Sequence, residues 1–304
     1  MHELIHRRPS LPPRRNDGHK GTFGRVGIIG GCASDQARMI GAPALAAIGA
    51  VRSGCGLVRL ACPEPTLNEA LGLVPFATGI GLPVDRSGHL EASESAQCFD
   101  ELAMGSDALV VGPGLGHSTG ASALVLRTVI QEDAPVVLDA DGINLLCAMP
   151  EFWTDVRANI VFTPHPGEAR RLTEALSIRG YPAGDSEQRI AVCVALALRL
   201  GSIVILKGAG TVVSDGIRAW VCDRGHPCMA TGGTGDVLAG VIGGLIAQAR
   251  AIGRADLFEC ARAGVLAHSL AGEAWARETS AAGGMTPSEL AELVPIEVDR
   301  LRAN

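Results

Sequence analysis

Gly201-Ser202-Ile203-Val204-Ile205-Leu206-Lys207-Gly208-Ala209-Gly210-Thr211 decides the fold: four aliphatic residues in a row run straight into a glycine loop. A short apolar run with no polar face between its residues predicts a strand buried on both sides. The helical pattern of Ser186–Leu200 precedes it, with Asp185 at the N-cap position and Gln188 three residues on, as in a capping box. A helix feeding a doubly buried strand is the repeating unit of a parallel sheet covered by helices on both faces.

The same unit recurs outward along the chain. Val26–Ile29, Leu57–Ala61, Ala108–Val111, Val136–Leu138 and Ile160–Phe162 read as further buried strands, and Pro43–Ser53, Ser122–Gln131 and Gly167–Ala175 as helices between them. Thr211–Ser214 and Ile217–Val221 flank Asp215-Gly216 and predict a hairpin. Beyond it the pattern is helical, over Asp236–Arg250, Asp256–Thr279 and a last helix near Pro295. No linker composition or internal repeat divides the chain, so one α/β domain is expected over residues 19–304, behind a flexible segment at 1–18. Ligands of such sheets bind beyond the carboxyl ends of the strands, which puts the glycine-rich segments on the functional edge.

Composition narrows the partners. Of 304 residues, 47% are hydrophobic and 19% charged, a globular mix that excludes a disordered chain. Acids outnumber bases 32 to 26 and the net charge is -6, which argues against a nucleic-acid partner. With aromatics at 3%, stacking platforms for single strands are not expected either. No uncharged apolar run reaches the ~18 residues of a membrane span. Met1–Lys20 is polar, with Arg7, Arg8, Arg14 and Arg15, so it does not read as a signal peptide. The nine cysteines form no Cys-x-x-Cys pair, which points to buried thiols in a reducing cytoplasm and to no zinc or other protein-bound metal centre. Only two lysines, Lys20 and Lys207, stand among the 26 basic residues.

Four segments carry chemistry. In Thr231-Gly232-Gly233-Thr234-Gly235-Asp236-Val237-Leu238-Ala239-Gly240 a glycine turn enters an apolar helix. Free N–H groups and the positive dipole end make such a start an anion site. Asp236 is then either a helix-start charge or an acid placed to take a proton from a substrate hydroxyl. Lys207-Gly208-Ala209-Gly210-Thr211 is not a Walker A loop, because Lys precedes the glycines. Its lysine either reaches solvent or lies beside nucleotide phosphates. Gly112-Pro113-Gly114-Leu115-Gly116 and Gly30-Gly31-Cys32 follow strands, lack the dinucleotide fingerprint, and either make tight loops or let a ligand sit on bare backbone. Thr163-Pro164-His165-Pro166-Gly167-Glu168 holds His165 stiffly between two prolines at a strand end, and Pro166 suits a first helical turn. Asp139-Ala140-Asp141 offers two carboxylates that either hold Mg²⁺ or cap the next turn. No nucleophile elbow is present, so Ser-His-Asp hydrolysis is a poor reading.

The order of these segments, from His19-Lys20-Gly21 and Gly41-Ala42-Pro43 through Gly54-Cys55-Gly56-Leu57-Val58, Gly112–Gly116, Asp139–Asn144, Thr163–Glu168 and Lys207–Thr211 to Thr231–Gly240, resembles the NAD(P)H-hydrate dehydratase family. The resemblance covers about Lys20 to Pro295. It implies a ribokinase-like three-layer α/β/α sandwich with a mostly parallel sheet. It implies dehydration of NADH or NADPH hydrate at the expense of ADP, or of ATP, with Mg²⁺, by phosphorylation of the ring hydroxyl and elimination of phosphate. By the same resemblance Asp236 is the base, and Gly233, Thr234 and Gly235 stabilise the transferred phosphoryl group. Lys207, Gly208, Ala209, Gly210, Thr211 and Gly235 would hold the nucleotide. Ala42, Gly114 or Gly116, His165 and Asp236 would contact the hydrate. A homo-oligomer, a tetramer, is implied as well, and no epimerase domain is expected ahead of motifs that begin near residue 19. The chain departs from the family pattern at Cys32 (usually Ser), Met39 (often Tyr), His226-Pro227-Cys228 (usually Asn-Pro-Gly) and Asp141–Asn144 (usually Asp-Ala-Leu-Asn).

Two rivals remain: a vitamin-precursor or sugar kinase of the same fold, and a silent nucleotide-binding sensor. His165–Glu168 with Gly112–Gly116 favours the dehydratases over the first. The presence of Asp236 disfavours the second.

Overall fold

A computed structural model describes residues 2–34 and 37–302. The first half of the chain lays down β1 (Glu3–Leu4), β2 (Arg25–Ile29), β3 (Cys32–Ser34), β4 (Ala37–Met39), α1 (Gly41–Arg52), β5 (Leu57–Pro63), α2 (Leu67–Leu73), β6 (Thr78–Leu82), α3 (Ala92–Met104), β7 (Ala108–Val111), α4 (Thr119–Ile130) and β8 (Val136–Leu138). The second adds α5 (Asp141–Cys147), β9 (Ile160–Phe162), α6 (Pro166–Ala175), α7 (Ser186–Leu200), β10 (Ile203–Leu206), β11 (Thr211–Ser214), β12 (Arg218–Cys222), α8 (Thr234–Ala251), α9 (Leu257–Thr279) and α10 (Pro287–Arg302). The large sheet runs β1-β12-β11-β10-β9-β8-β7-β2-β5-β6. All its pairings are parallel except β10 with β11 and β11 with β12, the predicted hairpin.

Alternation along each central strand divides the interior into two cores. Val110, Val137, Val161, Ile203 and Ile205 face one side with α1, α8, α9 and α10. Leu109, Val111, Leu138, Phe162, Val204 and Leu206 face the other with α3 to α7. Each strand residue therefore finds apolar cover whichever way it points, which is why these strands read as unbroken apolar runs. The result is the expected three-layer α/β/α sandwich.

The first core is closed by two helices in backbone contact. A Cβ on Gly240 of α8 would lie 1.9 Å from the Ala46 carbonyl oxygen of α1, and one on Gly49 would lie 2.3 Å from that of Val237. Only glycine allows this approach, and it presses the start of α8 against the sheet.

Residues 2–18, expected to be flexible, are instead tied to the body. Glu3 and Ile5 donate N–H bonds to Ile217 and Ala219 (both 2.8 Å), so β1 extends the sheet beyond β12. Leu11 N–H reaches the Leu301 carbonyl at 2.8 Å, Arg302 donates to the Pro12 carbonyl at 2.8 Å, and Arg14 donates to that of Gly54 at 2.7 Å. Arg14 also lies 3.5 Å above the Phe23 ring. Arginine forks and an edge strand hold the segment, neither of which an apolar-run criterion detects. β6 and α3 were likewise missed: Thr78–Leu82 is interrupted by Gly79 and Gly81, and α3 is rich in Ser, Glu and Gln.

Candidate active site

The strand-end loops converge at the carboxyl edge. Gly31 donates to the Pro113 carbonyl at 3.0 Å, joining the loops after β2 and β7. Beside them, a Cβ on Gly114 would lie 3.3 Å from Ala42 Cβ and 3.2 Å from Met39 Cβ, so two of the expected hydrate contacts are neighbours. Gly116 N–H donates to Asp141 Oδ2 at 2.9 Å, and His117 Nε2 lies 3.2 Å from Asp141 Oδ1. Asp141 thus clamps the Gly112–Gly116 loop; it does not cap its own helix. The residue before it, Ala140, holds a φ of 49°, a strained value for a residue with a side chain, and this turn directs Asp139 and Asp141 to different loops.

Asp139 is buried and pairs with Lys207, whose Nζ lies 2.7 Å from its Oδ1; Thr163 Oγ1 donates to the same oxygen at 2.6 Å. Glu168 Oε2 stands 4.0 Å from Lys207 Nζ. Burial works against the charge on Lys207, but Asp139, Glu168 and Asp236 outweigh it and hold its pKa above the ordinary lysine value. Lys207 therefore stays an ammonium ion, and its main-chain N–H is fixed at 2.9 Å from the Pro164 carbonyl.

His165 is the N-cap of α6. Its Nδ1 accepts from the N–H groups of Gly167 at 2.9 Å and Glu168 at 3.3 Å, while the His165 N–H donates to Glu168 Oε2 at 2.8 Å. With Nδ1 an acceptor, the ring proton is assigned to Nε2. Burial, with Lys207 and Arg171 nearby, lowers its pKa and keeps the ring neutral. Half of the side chain remains exposed at the edge of the site. Burial also raises the pKa of Glu168, against the pull of Lys207.

α8 starts at Thr234, two residues ahead of the expected Asp236. Gly233, with φ of 96°, turns the chain into the helix. The N–H groups of Gly232, Gly233, Gly235 and Asp236 have no partner among the described residues, which leaves free donors at the helix start. The Thr234 N–H, by contrast, donates to the Thr231 carbonyl at 3.4 Å, and its hydroxyl donates to the carbonyls of Thr231 at 2.9 Å and Met229 at 3.0 Å. It braces the turn and is not aimed at the edge. A further brace went unseen in the sequence: buried His268 of α9, whose Nε2–H donates to the Thr234 carbonyl at 2.9 Å. Burial pushes its pKa down to about 4, so it is a neutral donor.

Gly235 borders Lys207: a Cβ there would stand 3.5 Å from Nζ, so the loop Lys207–Thr211 and the turn into α8 meet at the ammonium. The Asp236 carboxylate makes no hydrogen bond to any described residue. Burial first, then the charges of Asp139, Asp141 and Glu168, push its pKa up to about 7 against the pull of Lys207. A carboxylate so tuned is matched to proton abstraction near neutrality. In the loop after β10, Thr211 Oγ1 donates to the Gly208 carbonyl at 2.8 Å.

The resemblance implies Mg²⁺, and the donor set tests that. Among the described residues no group of three His, Cys, Asp or Glu side chains is spaced to hold a metal. Asp139 is bound by Lys207 and Thr163, and Asp141 by Gly116 and His117. Such a site fits Mg²⁺ as an ion carried on phosphate and water oxygens, the usual manner at phosphoryl-transfer sites. No helix among the described residues is long and apolar enough to cross a membrane.

The layering and the glycine-lined carboxyl edge place the chain in the ribokinase-like class. A family model described as NAD(P)H-hydrate dehydratase matches residues 26–296, and the chain belongs to that family. It is 36% identical over 284 residues to an ADP-dependent (S)-NAD(P)H-hydrate dehydratase of Neisseria meningitidis, covering 91% of this chain and 86% of the relative. It is 38% identical over 273 residues to a bifunctional NAD(P)H-hydrate repair enzyme of Coxiella burnetii, covering 89% of this chain and 49% of the relative. The chain thus spans about half the length of such bifunctional relatives. A solved ADP/ATP-dependent NAD(P)H-hydrate dehydratase from Bacillus subtilis, co-crystallised with ATP and Mg²⁺, superposes with a TM-score of 0.73 at 26% identity, covering 96% of this chain and 95% of that one.

Proposed function

We propose that the protein dehydrates NADH or NADPH hydrate to NAD(P)H at the expense of ADP, with ATP as the alternative. The observation that carries this is Asp236: a half-buried acid with its pKa pushed up to about 7, its carboxylate without a hydrogen-bond partner among the described residues, standing at helix-start amides equally free among them and beside the Lys207 ammonium. The names of the Neisseria and Bacillus relatives support the hydrate as substrate and the adenine nucleotide as co-substrate.

In this reading Asp236 takes the proton of the ring hydroxyl, and the oxygen attacks the terminal phosphorus of the nucleotide. The amides of Gly233 and Gly235 and the Lys207 ammonium stabilise the charge on the phosphoryl oxygens. Thr234 acts from behind, by fixing the turn. The nucleotide leaves one phosphate shorter. The phosphate ester then breaks at its C–O bond, with loss of a proton from the neighbouring ring carbon, and the double bond of NAD(P)H is restored. Lys207 to Thr211 and Gly235 hold the nucleotide; Ala42, Gly114, Gly116 and His165 form the hydrate's side. Mg²⁺, when bound with the nucleotide, would supply charge neutralisation at the phosphates.

A homotetramer in the cytoplasm completes the proposal. The nine free thiols support a reducing compartment. Exposed Leu198 and Ile217, at 68% and 70%, lie on either side of Gly216 and offer apolar surface for assembly. Incubation with NADH hydrate, Mg²⁺ and ADP or ATP tests the activity: NADH absorbance should recover only with nucleotide, and no recovery with either nucleotide refutes the proposal.

A further inference from the structure

Arg189 of α7 is buried, at 7% exposure, and forms no ion pair with any described residue. Its guanidinium is spent on main-chain carbonyls instead. One terminal nitrogen donates to the Pro182 carbonyl at 2.9 Å. The other reaches those of Leu206 at 3.1 Å, Lys207 at 3.3 Å and Gly210 at 3.4 Å. Its Nε has no partner among the described residues. A buried cation without a counter-charge is unfavourable unless dipoles surround it, and here three of the four carbonyls, those of Leu206, Lys207 and Gly210, belong to the loop Lys207–Thr211 and its approach, the fourth being that of Pro182 ahead of α7.

This arrangement polarises the loop. The carbonyls of Leu206, Lys207 and Gly210 turn inward to Arg189, and that of Gly208 is taken by Thr211 Oγ1. The N–H groups of Gly208, Ala209 and Gly210 have no partner among the described residues. Gly208 at φ of 134° and Gly210 at φ of 64° allow the turn. With carbonyls withdrawn and amides unspent, the loop presents donors beside the Lys207 ammonium, the pattern of a backbone anion nest.

We infer that Arg189 is a positioning residue for nucleotide binding: it fixes the carbonyls of the Lys207–Thr211 loop inward, so that the loop's amides and Lys207 face the anionic nucleotide. The inference rests on the reading of that loop as the nucleotide site. It requires a planar fork that can serve several carbonyls at once, which an ammonium group cannot replace.

Arg189→Lys and Arg189→Met test it, each read by ADP affinity in calorimetry, by KM for ADP against KM for hydrate, and by hydrogen exchange of the 208–211 amides. Loss of charged hydrogen bonds should weaken ADP binding and raise its KM at least about tenfold in Arg189→Lys. The KM for hydrate and the turnover at saturating ADP should stay within about twofold. Exchange at 208–211 should quicken while β7 to β9 stay protected. If Arg189→Met does not fold, Arg189→Lys keeps the charge and carries the test. Unchanged ADP affinity and loop exchange in Arg189→Lys would overturn the inference. So would a lowered melting temperature with both KM values unmoved, which marks a purely structural arginine. If the wild-type protein binds no adenine nucleotide, the dehydratase reading fails, and loop exchange alone decides whether Arg189 orders the loop.

Discussion

Asp236 carries a cost in the empty protein. Its folded pKa, about 7, lies above the 3.8 of a free carboxyl, so the folded state binds a proton more tightly than the unfolded chain. Stability from this group is present in acid and is lost as pH rises through that window. Asp236→Asn should therefore stabilise the ligand-free protein by ~3 kcal/mol at about pH 8, a gain that fades toward about pH 4. Urea midpoints across pH measure this, and a pH-independent difference contradicts the burial argument. The same group predicts that kcat/KM for hydrate climbs with pH to a plateau above about 7. Asp236→Asn should lower turnover by at least about a hundredfold while ADP still binds. Lys207→Arg keeps the charge, but a guanidinium does not fit the 2.7 Å contact to buried Asp139 beside Gly235. Its KM for ADP should rise about tenfold, and an unchanged value removes Lys207 from the nucleotide site. At this scale the sequence exposed Asp236 and Lys207, because each stands next to glycines in a legible motif. It did not expose Asp139 as the partner of Lys207, since 68 residues separate them. Nor did it expose Arg189 or His268, whose work lies in carbonyls that sequence patterns do not display.

Elements were legible where burial was two-sided. The strands from β7 to β10 were read to the residue, because each is four or fewer apolar residues closed by Gly, Asp, Thr or Lys. In the hairpin, Asp215 Oδ1 accepts from the N–H groups of Ile217 and Arg218, so the second strand begins at Arg218, one residue later than expected. The start of α8 owes its position to the α1 contact. Gly240→Ala would drive a methyl group to 1.9 Å from the Ala46 oxygen and must part the two helices. It should destabilise the fold by ~2 kcal/mol or more and weaken nucleotide binding in step. An unchanged urea midpoint contradicts the close approach.

At the scale of the whole molecule, the N-terminal segment laces β12, α9 and α10 together through Arg7–Glu259 at 3.0 Å and the contacts of Leu11, Pro12 and Arg14. Removing residues 2–18 should lower the melting temperature by about 5 °C and leave ADP affinity intact, because the segment is docked away from the carboxyl edge. No loss of melting temperature contradicts the docking. The central claim joins two chemistries, phosphoryl transfer and dehydration, in one site, and stoichiometry separates it from its kinase rival. With NADH hydrate, ADP and Mg²⁺, inorganic phosphate, AMP and NADH followed together should appear in equal amounts and at one rate. Consumption of nucleotide with accumulation of a stable phosphorylated product, or phosphate release without NADH, would contradict it.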